Sequence, residues 1–181
     1  ARNVGRRMTV RLVKGAYWDT EIKRAQVMGL ASYPVFTRKV LTDVSYVACT
    51  RRLLANTDVF YPQFATHNAL TAATVREMAG EQTNYELQRL HGMGDALHDS
   101  LLAQGARSRI YAPVGGHREL LPYLVRRLLE NGANSSFVNQ LIDPDLAIED
   151  VVADPVVEAA ALKLSPNPAI PAPRDLFGGA R

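Results

Sequence analysis

Two adjacent arginines, Arg126 and Arg127, are the side chains whose type and spacing best fit recognition of an anion. They lie in the segment HRELLPYLVRRLLENG, whose apolar residues recur at helical spacing. Neighbouring helical residues point about 100° apart, so the two guanidinium groups can approach one ligand or two. Each group offers permanently charged, bidentate donors that suit a carboxylate. Tyr123, Arg127 and Glu130 lie at i, i+4 and i+7, which equally fits a solvated charged stripe.

A lysine at the end of an apolar run is a second candidate. Residues 10–19 read VRLVKGAYWD, a pattern that predicts a short buried strand ending at Lys14 and Gly15. Lys14 fits three roles: a Schiff-base nucleophile, a ligand for an anion, or a solvated residue that caps the strand. The rings of Tyr17 and Trp18 fit either stacking on an aromatic ligand or burial in the core. Spacing alone leaves these alternatives open.

Two further groups of residues are candidates for binding a ligand or a metal. Thr37, Arg38 and Lys39 open a predicted helix, where backbone donors and the helix dipole favour an anion such as a diphosphate. Three histidines follow predicted strands and could in principle converge on zinc; they are His67, His91 and His117. No close-spaced ligand pair supports a metal, so we predict none and interpret these histidines as hydrogen-bonding residues beside a site.

A regular alternation of strands and helices positions these candidates. The predicted strands are residues 10–13, 59–65, 85–90 and 109–114. The predicted helices are residues 20–29, 37–55, 69–79 (with Asn68 as N-cap and Gly80 as stop), about ten residues before Gly105, and 119–130. The last three strands recur about every 25 residues, which indicates parallel βα units. The carboxyl ends of such strands gather ligand groups, in open sheets and in barrels.

The character of the chain changes after Phe137. Asp143, Pro144 and Asp145 form a turn signal, and a short helix is predicted at residues 156–164. Residues 165–181, SPNPAIPAPRDLFGGAR, are rich in proline and predict an extended connecting arm outside the core. We therefore predict a folded part at residues 1–137 and a connecting segment at residues 138–181.

Composition narrows the class of protein. The 181 residues are 47% hydrophobic and 22% charged, which is ordinary for a globular protein. The net charge is +3, but basic and acidic residues are interspersed, so nucleic-acid binding is not supported. A single cysteine, Cys49, excludes an intrachain disulfide and suits a reducing compartment. No apolar run is long enough to cross a membrane.

Several long motifs carry a family resemblance. The segments RLVKGAYWD, YPQFATHNA, LHGMG, RIYAPVG and YLVRRLLENGANSSFVN resemble the proline dehydrogenase domain of the bacterial bifunctional proline-utilization flavoenzymes, over residues 9–154. The resemblance implies the C-terminal half, strands five to eight, of a distorted (β/α)8 TIM-type barrel. The segment IPAPRDLFG resembles the passage leading into the family's aldehyde dehydrogenase domain, which uses NAD and is absent from this chain.

The resemblance also implies a cofactor, FAD, at the carboxyl ends of the strands. The residues that match the family's FAD contacts are Arg11, Val13, Gly15, Ala16, Trp18, Thr37, Arg38, Lys39, Thr66, His67, Asn68, Gln88, Leu90 and Glu130. Arg11 is expected near the flavin ring, where a cation stabilises the reduced, electron-rich form. Arg38 and Lys39 are expected to face the diphosphate.

The implied reaction is oxidation of L-proline to Δ1-pyrroline-5-carboxylate, the first step of proline catabolism to glutamate. Arg126 and Arg127 are expected to hold the proline carboxylate and fix the ring in a reactive pose. The residues expected to shape the ring pocket are Tyr111, Tyr123, Ala16, Tyr17 and Leu90. A hydride equivalent leaves the ring carbon next to nitrogen, and the electrons pass to a membrane quinone. The implied location is the cytoplasm, peripheral to the inner face of the bacterial membrane.

The chain departs from the family pattern in one respect. The family's substrate-binding lysine and aspartate lie on the first half of the barrel, which is expected to be missing from this chain. We therefore expect the isolated chain to be inactive, and either poorly folded or paired with the remainder of its parent polypeptide or with further copies of itself. Two other hypotheses stay open. One is an aldolase-type barrel that uses Lys14 as a Schiff base, and the other is a non-catalytic half-barrel that serves as an interaction piece.

Overall fold

The computed structural model describes residues 2–15, 17–132, 140, 142–163 and 165–176, and the side chains of residues 130–132 lie outside this description. The chain divides into two compact units. The strand unit comprises residues 1–13 and 46–152, and the tail unit comprises residues 14–45 and 153–181. Every strand of the described residues belongs to the strand unit.

The strand unit is built on a four-stranded sheet in the order β1-β2-β3-β4, and all its pairings are parallel. The strands are β1 (Met8–Leu12), β2 (Phe60–Ala65), β3 (Glu86–Leu90) and β4 (Ser108–Tyr111). Neighbours in sequence are therefore neighbours in the sheet, as successive βα units produce. The predicted α/β fold with a parallel sheet is confirmed.

The α-helices of the described residues follow the strands in regular order. They are α1 (Trp18–Met28), α2 (Lys39–Leu54), α3 (Ala69–Ala79), α4 (Asp95–Ala103), α5 (His117–Gly132), α6 (Ile148–Val151) and α7 (Pro155–Ala161). Short 3-10 helices lie at Arg2–Val4 and Pro173–Asp175. None of these described helices combines the length and apolar character needed to cross a membrane.

The register of the sheet gives its two faces different chemistry. Arg11 pairs with Gln63, and Gln63 pairs with Glu86. Side chains alternate along a strand, so residues in register share one face. We call this the polar face, and its members are Thr9, Arg11, Tyr61, Gln63, Ala65, Glu86, Gln88, Leu90, Arg109 and Tyr111.

Helices cover the opposite, apolar face of the sheet. Phe64 and Leu87 are fully buried there, and the ring of Phe64 packs edge-on against Tyr85 with centroids 5.8 Å apart. The other buried members of this core come from α2, α3 and α4: Tyr46, Leu54, Ala72, Val75, Ala79 and Leu101. Burial of each large apolar side chain contributes about 1.5–3 kcal/mol, so this core fixes the sheet that carries the polar face.

Two strand predictions need correction. The first strand is predicted to be buried at residues 10–13, yet β1 lies at an edge of the described sheet and Val13 is 45% exposed. An edge strand has a hydrogen-bonded neighbour on one side only. The fourth strand ends at Tyr111 and does not reach Val114, which is 98% exposed. Pro113 has no backbone N–H to continue the ladder, which explains the early end.

Local capping chemistry sets the helix boundaries. Asn68 caps α3 as predicted, because its Oδ1 accepts a hydrogen bond from the Thr71 backbone N–H at 2.9 Å. Gly80 ends α3 as predicted. Helix α5 begins at His117, two residues before the predicted start. The Gly116 backbone N–H donates to Glu119 Oε2 at 3.1 Å, so the glutamate caps the helix from within its first turn.

Part of the proline-rich segment packs within the tail unit. Pro173 is fully buried there, so the prediction that this segment lies outside the core is wrong for that residue. The Tyr33 hydroxyl donates to the Pro171 carbonyl at 2.9 Å. Pro173 opens the 3-10 helix Pro173–Asp175, where its missing backbone N–H costs no hydrogen bond, and its apolar ring is free to pack. The predicted boundary after residue 137 lies outside the described residues, and the predicted domain division stays a prediction.

Candidate functional site

The polar face of the sheet carries a cation held from two sides. Arg11 Nε donates to Gln88 Oε1 at 3.1 Å, which joins β1 to β3 across the strand between them. The Arg11 guanidinium lies over the Tyr111 ring, 4.8 Å from its centroid. A cation over an aromatic face is attracted by the ring quadrupole. These contacts fix a positive charge near the carboxyl ends of the strands.

His67, just after β2, is a neutral imidazole. Its Nε2 accepts a hydrogen bond from the Leu90 backbone N–H at 3.0 Å, so the ring proton is on Nδ1. Burial lowers the pKa of His67 to about 4, and the positive charges of Arg127, Arg89 and Arg11 act in the same direction. The side chain therefore offers an N–H donor and carries no charge at neutral pH.

The unfolding free energy of the chain should depend on pH, because the pKa of His67 differs between the folded and unfolded states. An unfolded histidine has a pKa of about 6.5, so the folded chain resists a proton that the unfolded chain accepts. His67 therefore adds stability above pH 6.5 that is lost as the pH falls towards 4. We expect the difference in unfolding free energy between wild type and His67→Gln to change by about 2 kcal/mol between pH 7.5 and pH 5. Urea unfolding followed by circular dichroism measures it, and an unchanged difference would contradict the assignment.

His98 is a supporting residue that the sequence reasoning missed. It is fully buried, its Nδ1 lies 2.6 Å from Ser108 Oγ, and its Nε2 lies 3.1 Å from the Thr66 carbonyl oxygen. The carbonyl can only accept, so Nε2 carries the proton and Nδ1 accepts from the serine hydroxyl. His98 thus ties α4 to the segment that carries His67. His98 lies one helical turn before Leu101 on the apolar face of α4, and this spacing in the sequence could have identified it as a buried residue.

The loop after β3 supports His67 from the other side. Gly94 adopts a left-handed backbone with φ of +65°, and a Cβ placed there would lie 3.2 Å from His67 Cδ2. Arg89 holds the loop, since it donates to the Met93 carbonyl at 3.3 Å and pairs with Asp95 at 2.5 Å. The predicted LHGMG cluster is therefore a scaffold for the histidine.

Paired alanine substitutions separate backbone strain from this contact. Gly92 also has a positive φ, of +80°, but a Cβ there meets nothing within 4 Å. We expect Gly92→Ala to destabilise the chain by about 1 kcal/mol from strain alone, and Gly94→Ala by roughly 2–3 kcal/mol because His67 must also shift. Urea unfolding of both variants tests this. Equal losses would show that the glycine and the histidine are not in contact.

Helix α5 brings an aromatic ring and a second cation into the strand unit. The Arg127 guanidinium lies over the Tyr123 ring, 5.1 Å from its centroid. Burial raises the pKa of Tyr111, while the charges of Arg11 and Arg127 act against that shift. Both cations therefore act on the pKa of Tyr111. Arg126 lies half-buried beside Arg127 on the same helix, and the side chain of Glu130 lies outside the described residues.

The tail unit holds a separate set of predicted residues. Trp18 Nε1 donates to the Phe36 carbonyl at 2.7 Å, and Lys39 pairs with Asp43 at 2.8 Å. The residues just before α2 contact the proline-rich segment. Thr37 Oγ1 accepts from the Asn167 backbone N–H at 2.9 Å, and Arg38 Nε donates to the Ser165 carbonyl at 2.9 Å.

Lys14 also belongs to the tail unit and forms an ion pair with Asp43. Burial lowers the pKa of Lys14, and the neighbouring Asp43 carboxylate acts against that shift. Burial alone would raise the pKa of Asp43, but the charges of Lys14 and Lys39 outweigh it and the pKa lies below its usual value. A charged amine is a poor nucleophile, so these contacts favour a structural ion pair at this position.

The structure groups the predicted site residues by unit. The strand unit holds Arg11, Val13, Thr66, His67, Asn68, Gln88, Leu90, Tyr111, Tyr123, Arg126 and Arg127. The tail unit holds Lys14, Gly15, Tyr17, Trp18, Thr37, Arg38 and Lys39. Ala16 lies outside the described residues. In the described part of the chain, no three His, Cys, Asp or Glu side chains are placed to hold a metal ion together.

Comparisons with known proteins agree on one family. Residues 1–140 match the family model described as "Proline dehydrogenase". The chain is similar to the bifunctional protein PutA of Klebsiella aerogenes, with 54% identity over 97% of this chain and 15% of that protein. It is also similar to mitochondrial proline dehydrogenase 1 of Caenorhabditis elegans, with 32% identity over 74% of this chain and 23% of that protein.

A solved structure shows the same similarity. The chain superposes on a mutant of Bradyrhizobium japonicum proline utilization A with a TM-score of 0.88 and 55% identity. The match covers 98% of this chain and 18% of that chain. This chain spans about 14–15% of the length of the bifunctional PutA relatives it matches.

Proposed function

Because the chain belongs to the proline dehydrogenase family, we propose that it forms the C-terminal half of a flavin-dependent enzyme that oxidises L-proline to Δ1-pyrroline-5-carboxylate. On this proposal β1 to β4 are the fifth to eighth strands of a distorted (β/α)8 barrel, and α5 is its last helix. Residues 138–181 lead towards an aldehyde dehydrogenase domain. Active sites of such barrels lie at the carboxyl ends of the strands, and Thr66, His67 and Leu90 lie at the carboxyl ends of β2 and β3.

One observation in the structure carries the proposal. In the strand unit, Arg11 of β1 lies over Tyr111 of β4, Arg127 of α5 lies over Tyr123, and the charges of both arginines act on the pKa of Tyr111. Their sequence positions are as much as 116 apart, the difference between 127 and 11. Two cations, each over an aromatic ring, concentrate positive charge on one part of the strand unit, where an anionic or electron-rich ligand would be attracted.

The donors of the strand unit suit a flavin. A flavin ring presents carbonyl and nitrogen acceptors. The polar face offers a guanidinium at Arg11 and an amide at Gln88, and His67, just after β2, offers its neutral Nδ1–H. The strand-unit residues that would hold FAD are Arg11, Val13, Thr66, His67, Asn68, Gln88, Leu90 and Glu130. The tail-unit residues would be Gly15, Ala16, Trp18, Thr37, Arg38 and Lys39. When bound, the flavin supplies a two-electron acceptor.

The chain's own residues would bind and orient the amino acid. Arg126 and Arg127 would receive the proline carboxylate, since adjacent guanidinium groups offer matched, permanently charged donors. The rings of Tyr111 and Tyr123 would pack against the pyrrolidine, with Ala16, Tyr17 and Leu90 completing the pocket. Held at both its carboxylate and its ring, the substrate would be fixed in one pose, and this orientation is the chain's main contribution to the rate.

The remaining partners follow from the same proposal. The electrons would pass to a membrane quinone, and the enzyme would work in the cytoplasm at the inner face of the bacterial membrane. On this proposal, contact with the membrane would be peripheral. The remainder of the parent polypeptide, or further copies of the chain, would cover the edges of the sheet.

A hybrid enzyme tests the proposal. In the hybrid, this chain replaces the matching segment of the Bradyrhizobium japonicum protein, to which it is 55% identical. We expect the purified hybrid to contain stoichiometric FAD and to oxidise L-proline but not D-proline. Borohydride treatment with a carbonyl substrate should trap no adduct on Lys14. A folded hybrid that lacks flavin, or that leaves L-proline unchanged, would overturn the proposed function.

A further inference from the structure

Glu86 is a buried carboxylate at the centre of the polar face, and it is only 4% exposed. Its Oε1 accepts from Gln63 Nε2 at 2.6 Å and from Gln88 Nε2 at 2.8 Å. Arg109 donates to both carboxylate oxygens, Nε to Oε1 at 2.6 Å and Nη2 to Oε2 at 2.8 Å. The Tyr61 hydroxyl donates to Oε2 at 3.2 Å. Side chains from three of the four strands thus meet on one carboxylate.

This cluster keeps Glu86 ionised. Hydrogen bonds from Arg109 lower its pKa to about 2, against the effect of burial, and Gln88 and Gln63 add to the lowering. An ionised carboxylate only accepts hydrogen bonds, and it has room for several donors. The Gln88 amide must therefore present its NH2 group to Glu86.

The orientation of that amide determines what Arg11 meets. With Gln88 Nε2 turned to Glu86, the carbonyl oxygen Oε1 faces Arg11 Nε, and the two atoms are 3.1 Å apart. The opposite orientation would set an N–H against an N–H at Arg11 and an oxygen against a carboxylate at Glu86. Only one of the two orientations satisfies both neighbours.

We propose that Glu86 is a positioning residue, which fixes the amide of Gln88 and, through it, the guanidinium of Arg11 over the Tyr111 ring. Glu86 itself contacts neither substrate nor cofactor in this proposal. The geometric part concerns the chain alone. The functional part is that Glu86 thereby affects the flavin. This part rests on the proposed function, because it requires that Arg11 faces a flavin.

The geometric part is tested on the full chain by the 15N–1H signal of Arg11 Nε, assigned by its loss in Arg11→Lys. We expect Glu86→Met and Gln88→Met each to shift this signal and speed its exchange with water. The matched control is Tyr61→Phe, which removes one hydrogen bond from Glu86 Oε2 but leaves Arg109 and the link from Glu86 through Gln88 to Arg11. It should leave the signal in place. Equal disturbance by all three variants would overturn the proposal, since it would indicate general loosening of the sheet.

The functional part is tested in the hybrid by the reduction potential of its bound flavin. A displaced cation stabilises reduced flavin less, so Glu86→Met and Gln88→Met should each make the potential more negative. The double variant should show no larger shift than Gln88→Met alone, because Glu86 acts only through Gln88. Additive shifts, or no shift, would overturn the proposal. Glu86→Asp is the second variant if Glu86→Met fails to fold. A shortened carboxylate that leaves both the Arg11 signal and the potential at wild-type values would also contradict it.

Discussion

Replacing Arg127 by methionine in the hybrid is expected to raise the KM for L-proline by roughly 30-fold or more and to leave the FAD content unchanged. Methionine keeps most of the length of the side chain and its packing on Tyr123 but removes the charge. Removing one partner of a desolvated charge pair costs about 2–5 kcal/mol, and each 1.4 kcal/mol is a tenfold change in affinity. Arg126→Met should behave in the same way.

Arg118→Met is the matched control for both variants. Arg118 lies on the same helix but is exposed, so its replacement should change the KM less than twofold. Steady-state kinetics and the ratio of flavin to protein absorbance measure the two effects separately. Loss of flavin with an unchanged KM would mean that Arg127 belongs to the cofactor site and would refute its assignment to the carboxylate.

Replacing Phe64 by alanine is expected to destabilise the chain by about 3–5 kcal/mol. Its ring is fully buried on the apolar face and packs against Tyr85, and the cavity left behind cannot collapse without moving the sheet. A typical domain has only about 5–15 kcal/mol of stability, so the variant should be largely unfolded near physiological temperature. Thermal unfolding monitored by circular dichroism is a direct measurement.

Ile110→Ala is the control for that substitution. Ile110 also lies in a strand, on the same face by its register, but it is 56% exposed. We expect a loss below about 1 kcal/mol, because little apolar surface is uncovered. If the two variants lose similar stability, the helices do not cover the apolar face in the way described above.

Local signals in the sequence predicted much of the fold. Asn68 and Gly80 set the ends of α3 because capping depends on a few neighbouring residues. The strands at β2 and β3 were predicted within one residue of their observed ends, since apolar runs bounded by turns are a local pattern. The alternation of these strands with helices then sufficed to predict the parallel sheet.

Features that depend on contacts distant in sequence were not predicted. The exposure of β1 reflects its position at the edge of the sheet. An apolar run in the sequence does not show which strand lies at an edge. The hydrogen bonds of His98 reach residues 10 and 32 positions away, so only the fold shows them. The role of Glu86 depends on the register of neighbouring strands, which a sequence does not state. Burial of Pro173 likewise depends on packing within the tail unit.

We propose that this chain holds proline by its carboxylate for oxidation by a flavin. Anaerobic mixing of the hybrid with L-proline and with L-prolinamide, in which the carboxylate is masked, tests it most directly. We predict that L-proline bleaches the visible absorbance of the flavin, and that L-prolinamide does so at least about 30-fold more slowly at the same concentration. Bleaching at equal rates by the two compounds would contradict the claim, because the carboxylate would then play no part in placing the ring.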